Sequence, residues 1–402
     1  MKQEANIFQG ADSLQNISIS MIRTIMDKSK AMADAGIPVV PFVAGEPDFS
    51  TPQSIKDAVI RSIQNNDTHY TSNRGFLPLR KAIAQRMQEE TGLCYDPETE
   101  VVVTSGGAEA INNALISILN PGDEIIVFSP AFVNYENVAK IVGAKVILIP
   151  LNKENGFQID VEAVRAAITP KTKLIVVNNP CNPTGILYTE ETLAKLSELI
   201  CEYNLIAFSD EIYSTLVYDG CAFRSLASFP GMRERTLVMN GFSKTFAMTG
   251  WRLGYLCADR RMIGSVMKVH QYSTTCSPTF IQVGLAEVMN SEVTRREVNK
   301  MVQAFSRRRD LILKGLDQIP KLSYVTPRGA FYVFLDVSAT GLTGAEFAAR
   351  LLEEKYVATV PGIGFATHCT DFVRISYAAS DEAIAEGVRR LGDFTASLSS
   401  RT

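Results

Sequence analysis

Three histidines, His69, His270 and His368, are scattered along the 402 residues, and this scarcity argues against a zinc site. Cysteine is little more useful: Cys94, Cys181, Cys201, Cys221, Cys257, Cys276 and Cys369 form no CxxC pair. An odd, dispersed set in a long chain reads as reduced thiols in a cytoplasmic protein. Positive charge is not in excess, with 40 Lys and Arg against 43 Asp and Glu. A net charge of −3 argues against a nucleic-acid partner, which needs a clustered basic surplus. No apolar window approaches a membrane span. The start, Met1-Lys2-Gln3-Glu4-Ala5-Asn6, has mixed charge and no apolar core, unlike a secretory leader. Repeats, low-complexity tracts and long linkers are also missing.

What is present is an ordinary globular composition, 46% hydrophobic and 21% charged, in a chain long enough for two domains. Short β-branched runs recur: Val101-Val102-Val103-Thr104, Ile125-Ile126-Val127-Phe128, Val146-Ile147-Leu148-Ile149, Leu174-Ile175-Val176-Val177, Leu205-Ile206-Ala207-Phe208, Leu237-Val238-Met239 and Leu253-Gly254-Tyr255-Leu256. Segments of helical period separate them near 107–119, 131–142, 160–168 and 189–203. Continuous apolar strands alternating with amphipathic helices predict an α/β fold, a mostly parallel seven-stranded sheet sandwiched by helices. The run at 253–256 follows its predecessor too closely for a crossover, so it is expected to be antiparallel. Beyond about 260 the pattern changes to long helices, including 291–316, then strand-like pieces at 331–335 and 372–376 and a closing helix from about 380. This predicts a large domain over 46–290 and a smaller α+β domain from 291–402 joined by 1–45.

Polar residues gather where the predicted strands end. Leu174-Ile175-Val176-Val177 runs into Asn178-Asn179-Pro180-Cys181-Asn182-Pro183-Thr184-Gly185. The next two runs lead into Ser209-Asp210-Glu211-Ile212-Tyr213 and Asn240-Gly241-Phe242-Ser243-Lys244. In a doubly wound sheet such ends form one ligand crevice. A fourth turn, Thr104-Ser105-Gly106-Gly107-Ala108, opens a helix whose bare amides suit a phosphate. Lys244 and Arg252 stand eight positions apart in Ser243-Lys244-Thr245-Phe246-Ala247-Met248-Thr249-Gly250-Trp251-Arg252. A lysine amine forms an imine with a carbonyl, and a guanidinium fork matches phosphate oxygens. Pyridoxal phosphate is the cofactor that asks for both.

These residues, together with Gly45-Glu46-Pro47-Asp48-Phe49, Tyr70, Gly250-Trp251-Arg252-Leu253-Gly254 and Val373-Arg374-Ile375-Ser376, resemble the class I and II aminotransferases, pyridoxal phosphate enzymes of fold type I. The match runs over nearly the whole chain. The resemblance implies that Lys244 forms the Schiff base and moves the proton, and that Asp210 keeps the pyridine nitrogen protonated. It implies that Tyr213 and Asn182 bond the phenolic oxygen. Tyr213 reads equally as a packing tyrosine, Asn182 as the turn before Pro183, and Asp210 as a turn or cap residue. Phe132 matches the aromatic ring stacked on the pyridine, where the family more often has Trp or Tyr; a core phenylalanine is its rival reading. Arg252, the amides of Gly106, Gly107 and Ala108, and Ser243 are the implied phosphate ligands. The aspartate aminotransferase branch often has a serine three residues before the lysine, where this chain has Gly241. Arg374, with Asn182 and the Gly45 backbone, is the implied binder of the substrate α-carboxylate, its alternative being a structural salt bridge. Tyr70 resembles the tyrosine that reaches the neighbouring subunit's phosphate, which implies a homodimer.

The expected activity is transfer of the amino group of an L-amino acid (aspartate, alanine or aromatic) to a 2-oxo acid, with 2-oxoglutarate the implied acceptor. No second arginine placed for a dicarboxylate side chain stands out in the sequence. Residues 18–23 and the turns Gly36-Ile37-Pro38 and Gly362-Ile363-Gly364 read as a lid and loops at the cleft mouth. A C–S β-lyase on the same scaffold is one alternative, and a non-catalytic ligand-sensing domain a remote one.

Overall fold

The computed structural model describes residues 10–15, 17 and 19–398; the expectations for residues 1–6 and for Ser18 fall outside them. In chain order the elements begin with α1 (Met21–Asp34), β1 (Val40–Pro41), α2 (Gln53–Gln64), α3 (Leu77–Thr91), β2 (Val101–Thr104) and α4 (Gly107–Ile118). There follow β3 (Glu124–Ser129), α5 (Asn134–Val142), β4 (Lys145–Pro150), α6 (Val161–Ala167), β5 (Thr172–Asn178), α7 (Glu190–Glu202), β6 (Ile206–Asp210) and β7 (Thr236–Gly241). Next come α8 (Phe242–Thr245), β8 (Gly254–Cys257), α9 (Arg260–Ser273), α10 (Thr279–Val288) and α11 (Glu292–Leu316). The chain closes with β9 (Ser323–Tyr324), β10 (Tyr332–Asp336), α12 (Gly344–Lys355), β11 (Val357–Ala358), β12 (Val360–Pro361), β13 (Phe372–Ser376) and α13 (Asp381–Leu398).

A seven-stranded sheet of order β2-β8-β7-β6-β5-β3-β4 forms the centre. Its neighbours from β7 through β4 pair in parallel, whereas β8 is antiparallel to both β7 and β2. The short α8 between β7 and β8 cannot bridge the sheet, so the chain turns back, as the spacing predicted. Side chains alternate between the faces: Val101 and Val103 pack in one apolar cluster and Val102 in another. Burial on both faces explains why the strands read as unbroken apolar runs rather than as alternating ones.

A second, antiparallel sheet of order β12-β13-β10-β9 carries α11 and α13 against one apolar cluster that includes Phe305, Ile312, Val333, Ile375 and Phe394. The N-terminal segment joins this side, because β1 pairs with β11. Helix ends are closed where the sequence supplies oxygens: Thr343 and Glu346 form a reciprocal cap on α12, worth about 1 kcal/mol.

Several boundaries differ from the sequence expectation, three of them at the strand ends and helix start nearest the crevice. Strands β6 and β7 run on to Asp210 and Gly241, beyond the apolar runs, because partners satisfy the side chains there: Tyr135 and the Ile212 amide donate to Asp210, and Asn240 bonds Ser214 and the Gly241 amide. Helix α5 starts at Asn134 rather than near 131, leaving Ala131 and Phe132 in the connection that follows Pro130.

Candidate active site

Parallel pairing sets Asn178 beside Asp210 and Asp210 beside Met239, so three strand ends stand abreast at one edge of the sheet. Above them opens a cavity of about 530 Å³. Its wall takes Gly107 and Ala108 from the start of α4, Phe132 and Tyr135 from the β3–α5 region, and Asn182 from beyond β5. Tyr213, Ser243, Lys244 and Arg252 line it too, while Arg374 and Tyr332 arrive from the second sheet. Most of the residues singled out in the sequence therefore meet in one place. Tyr70 does not: its side chain is 87% exposed, away from this cavity.

Lys244 sits on α8, directly after β7, and its Nζ donates to the Gly45 carbonyl at 2.5 Å. Burial pulls its amine down to about 8, and the guanidinium groups of Arg374 and Arg252 add to this, against the opposing pull of Glu46 and Asp210. A usable fraction is thus neutral near physiological pH, the form that attacks a carbonyl or takes a proton. Asp210 is 3% exposed and is pushed up to about 6 by burial. The Tyr135 hydroxyl and the Ile212 amide both donate to it and favour its ionised form. The carboxylate is thereby held in one orientation.

Tyr213 is buried with its hydroxyl 2.9 Å from that of Tyr332, and burial pushes its phenol well above the usual range. Phe132 packs edge-on against Tyr135 at 5.9 Å between ring centroids. Asn182 receives Arg374 Nη1 on its side-chain oxygen at 2.9 Å, and its own amide donates to the Asn178 side chain at 2.8 Å.

Two arginines differ in how far they are occupied. Arg252 adopts φ 55° and donates to the Thr249 carbonyl at 3.0 Å and to the Ser105 carbonyl at 3.4 Å. Its guanidinium lies against Gly106, where φ is 85° and an added Cβ would come within 2.5 Å of Nη2. Only glycine permits that contact, so the turn and the guanidinium form one bare, positively polarised cradle. Arg374 is 2% exposed and stacks over Tyr332 and Phe365 with 4.3 and 4.9 Å from its guanidinium carbon to the ring centroids. Its Nε is buried without an acceptor, and no carboxylate pairs with it among the described residues. Gly45 lines the same cavity as Arg374, and its carbonyl accepts from Lys244; Arg374 Nη2 reaches the Val43 carbonyl at 3.1 Å.

Several lining residues escaped the sequence reading. Tyr135, Tyr332 and Asn178 position other side chains and carry no spacing signal of their own. Glu46 accepts from the Thr249 hydroxyl at 2.5 Å and lies within the Gly45-Glu46-Pro47-Asp48-Phe49 run without having been assigned a task. A second arginine is also present: α1 brings exposed Arg23 to the cavity wall beside Ser20, Ile22 and Met26. It has no hydrogen bond or ion pair among the described residues. The reading of residues 18–23 as a lid at the cleft mouth takes in this position without giving the side chain a task.

The chain matches the model of the family described as aminotransferase class I and II over residues 37–391. It is 37% identical over 381 residues to aromatic-amino-acid aminotransferase 2 of Thermococcus litoralis, covering 95% of this chain and 97% of that one. With the aspartate/prephenate aminotransferase of Thermus thermophilus it shares 42% identity over 364 residues, 90% of this chain and 92% of the other. Among solved structures, aspartate aminotransferase from Thermus thermophilus with maleate superposes with a TM-score of 0.92 at 39% identity, covering 96% of this chain and 100% of that one.

Proposed function

The chain belongs to the class I and II aminotransferases, pyridoxal phosphate enzymes of fold type I, and on that premise we propose how its cavity carries the reaction and which substrates it takes. One buried group carries the proposal: Arg374, whose unpartnered Nε leaves a guanidinium in the protein interior without an anion. The α-carboxylate of an amino acid completes that set of bonds.

When bound, pyridoxal phosphate supplies an aldehyde that condenses with amines and a protonated ring that withdraws electrons from the substrate Cα. The residues present fit it. Arg252 and the amides of Gly107 and Ala108 form the cradle for its phosphate, with Ser243 on the same wall, whereas the Gly106 amide, expected beside them, already donates to the Thr104 carbonyl at 2.8 Å. Asp210, fixed by Tyr135, holds a proton on the pyridine nitrogen. Tyr213 and Asn182 would offer hydrogen-bonding groups to the phenolic oxygen, and Phe132 on the same wall would give the ring an apolar face. Lys244 provides the amine that moves a proton at the substrate Cα, a task its lowered basicity suits.

Residues 46–290 bear the cofactor in this reading, and 1–45 with 291–402 make the smaller domain that delivers Arg374. The acceptor is 2-oxoglutarate, and donors include acidic amino acids. Arg23 on the cavity wall supports a second carboxylate, as do the relatives named aspartate aminotransferase. The working form is a homodimer in the cytoplasm. Support for the dimer comes from Tyr70, in the connection between α2 and α3, and Tyr272, in the last turn of α9, each 87% exposed; the two segments are joined by the Asn73 side chain, which donates to the Thr275 carbonyl at 2.9 Å.

The test is a half-reaction: loaded protein mixed with one equivalent of L-aspartate is expected to release one equivalent of 2-oxo acid and to convert to the pyridoxamine form. Release of ammonia without that conversion overturns the assignment in favour of elimination.

A further inference from the structure

Glu109 occupies the third residue of α4, immediately after Gly107 and Ala108 on the cavity wall. A carboxylate at the helix start competes with any other anion drawn to the same amides, and like charges there repel. Something must cancel it for the turn to accept a phosphate.

The Glu109 carboxylate accepts from the Ser105 amide, from Asn113 Nδ2 at 2.9 Å and from His270 Nδ1 at 2.7 Å. His270 reaches it from α9 and is fully buried. Its other ring nitrogen, Nε2, lies 2.7 Å from the Asn73 carbonyl oxygen. Both ring nitrogens therefore meet acceptors, and neither a carboxylate nor a carbonyl has a proton to give. A neutral ring, with one N–H, would set a lone pair against an oxygen at one of the two contacts. The Asn113 amide also approaches Nδ1, at 3.4 Å, but its shorter bond goes to Glu109. Burial pushes the Glu109 carboxyl up, yet the bonds from His270, Ser105 and Asn113 outweigh this and hold it below the usual carboxylate range.

We infer that His270 is a doubly protonated imidazolium, a positioning residue that neutralises Glu109 beneath the phosphate-binding turn and ties that turn to the loop following Tyr70. The inference rests on the cofactor-binding reading above. Its consequence is specific: removing the histidine alone harms cofactor affinity because it unmasks a carboxylate, and removing the carboxylate as well repairs much of the damage.

The experiment measures the dissociation constant of pyridoxal phosphate for the metabolically apo full-length protein by absorbance titration, in wild type, His270→Asn, Glu109→Gln and the double variant. His270→Asn is expected to weaken binding about 10-fold, with the double variant recovering most of that loss. Glu109→Gln is expected to bind as tightly as wild type or a few-fold tighter, since no anion is left beneath the turn to repel the phosphate. A double variant no better than His270→Asn, or a Glu109→Gln variant weakened about 10-fold, overturns the inference. Should His270→Asn fail to fold, Glu109→Gln still decides, together with nitrogen-15 spectra of the three histidines in wild type. One ring with both N–H protons shielded from exchange is expected; three neutral or freely exchanging rings overturn it. Wild-type protein that binds no pyridoxal phosphate would instead sink the cofactor reading itself.

Discussion

Arg374 Nη1 donates to the side-chain oxygen of Asn182 at 2.9 Å, joining β13 of the four-stranded sheet to the loop beyond β5 of the seven-stranded one. The bond leaves the guanidinium fork oriented but still short of a carboxylate, since Nε has no acceptor. Replacing Arg374 by Ala is expected to raise the KM for amino donors about 100-fold, the value of a bidentate charge-assisted pair. The dissociation constant of the cofactor, read by absorbance titration, should stay within about threefold. Wholesale loss of cofactor would show that Arg374 serves the fold instead.

Lys244 titrates about 8 because burial disfavours its charged form, so its reactive neutral form grows as pH rises. The rate at which apo protein captures pyridoxal phosphate is therefore expected to climb through neutral pH and level off above about 8. Glu46 opposes the shift, and Glu46→Gln should move the whole profile to lower pH. Lys244→Ala should lose the near-ultraviolet to visible band of the bound cofactor and about 10⁴-fold or more in turnover. A flat pH profile for capture would contradict the account.

Arg23 has no partner among the described residues and stands on the cavity wall. Changing it to Gln is expected to lower kcat/KM for aspartate about 10-fold or more while leaving phenylalanine within about twofold, because only the former carries a second carboxylate. Equal losses with both donors would assign Arg23 to the shape of α1 rather than to specificity.

Glu211, beside Asp210 but outside the cavity, is 1% exposed and accepts from the hydroxyls of Ser209 and Ser225 at 2.8 and 2.7 Å. Burial pushes it up to about 7, against 4.5 for the carboxyl in the unfolded chain. Between those values the folded state holds a proton that the unfolded state has released, so this residue's contribution to stability falls as pH rises. The loss is complete above about 7 and amounts to about 3 kcal/mol. Glu211→Gln should remove that dependence: denaturant melts of variant and wild type are expected to converge or cross in the variant's favour between pH 5 and pH 8. A constant difference across this range would show that Glu211 stays charged.

Much of this architecture was legible in the residues themselves. Local pattern was enough where the cause is local: unbroken β-branched runs mark strands buried on both faces, and the short span between β7 and β8 forces the antiparallel return. Asp210, Asn182 and Lys244 could be singled out because each follows an apolar run at the end where parallel sheets bind ligands, and Arg252 because it stands eight positions beyond Lys244. Tertiary structure alone decided the rest. That Tyr135 reaches Asp210, that Arg374 reaches the Val43 carbonyl, that the Arg23 side chain stands unpartnered on the cavity wall among the described residues and that His270 lies beneath the α4 turn all depend on register and helix placement between residues far apart in the chain. Periodicity encodes which face a side chain takes, whereas the partner it meets there is settled only when whole elements pack.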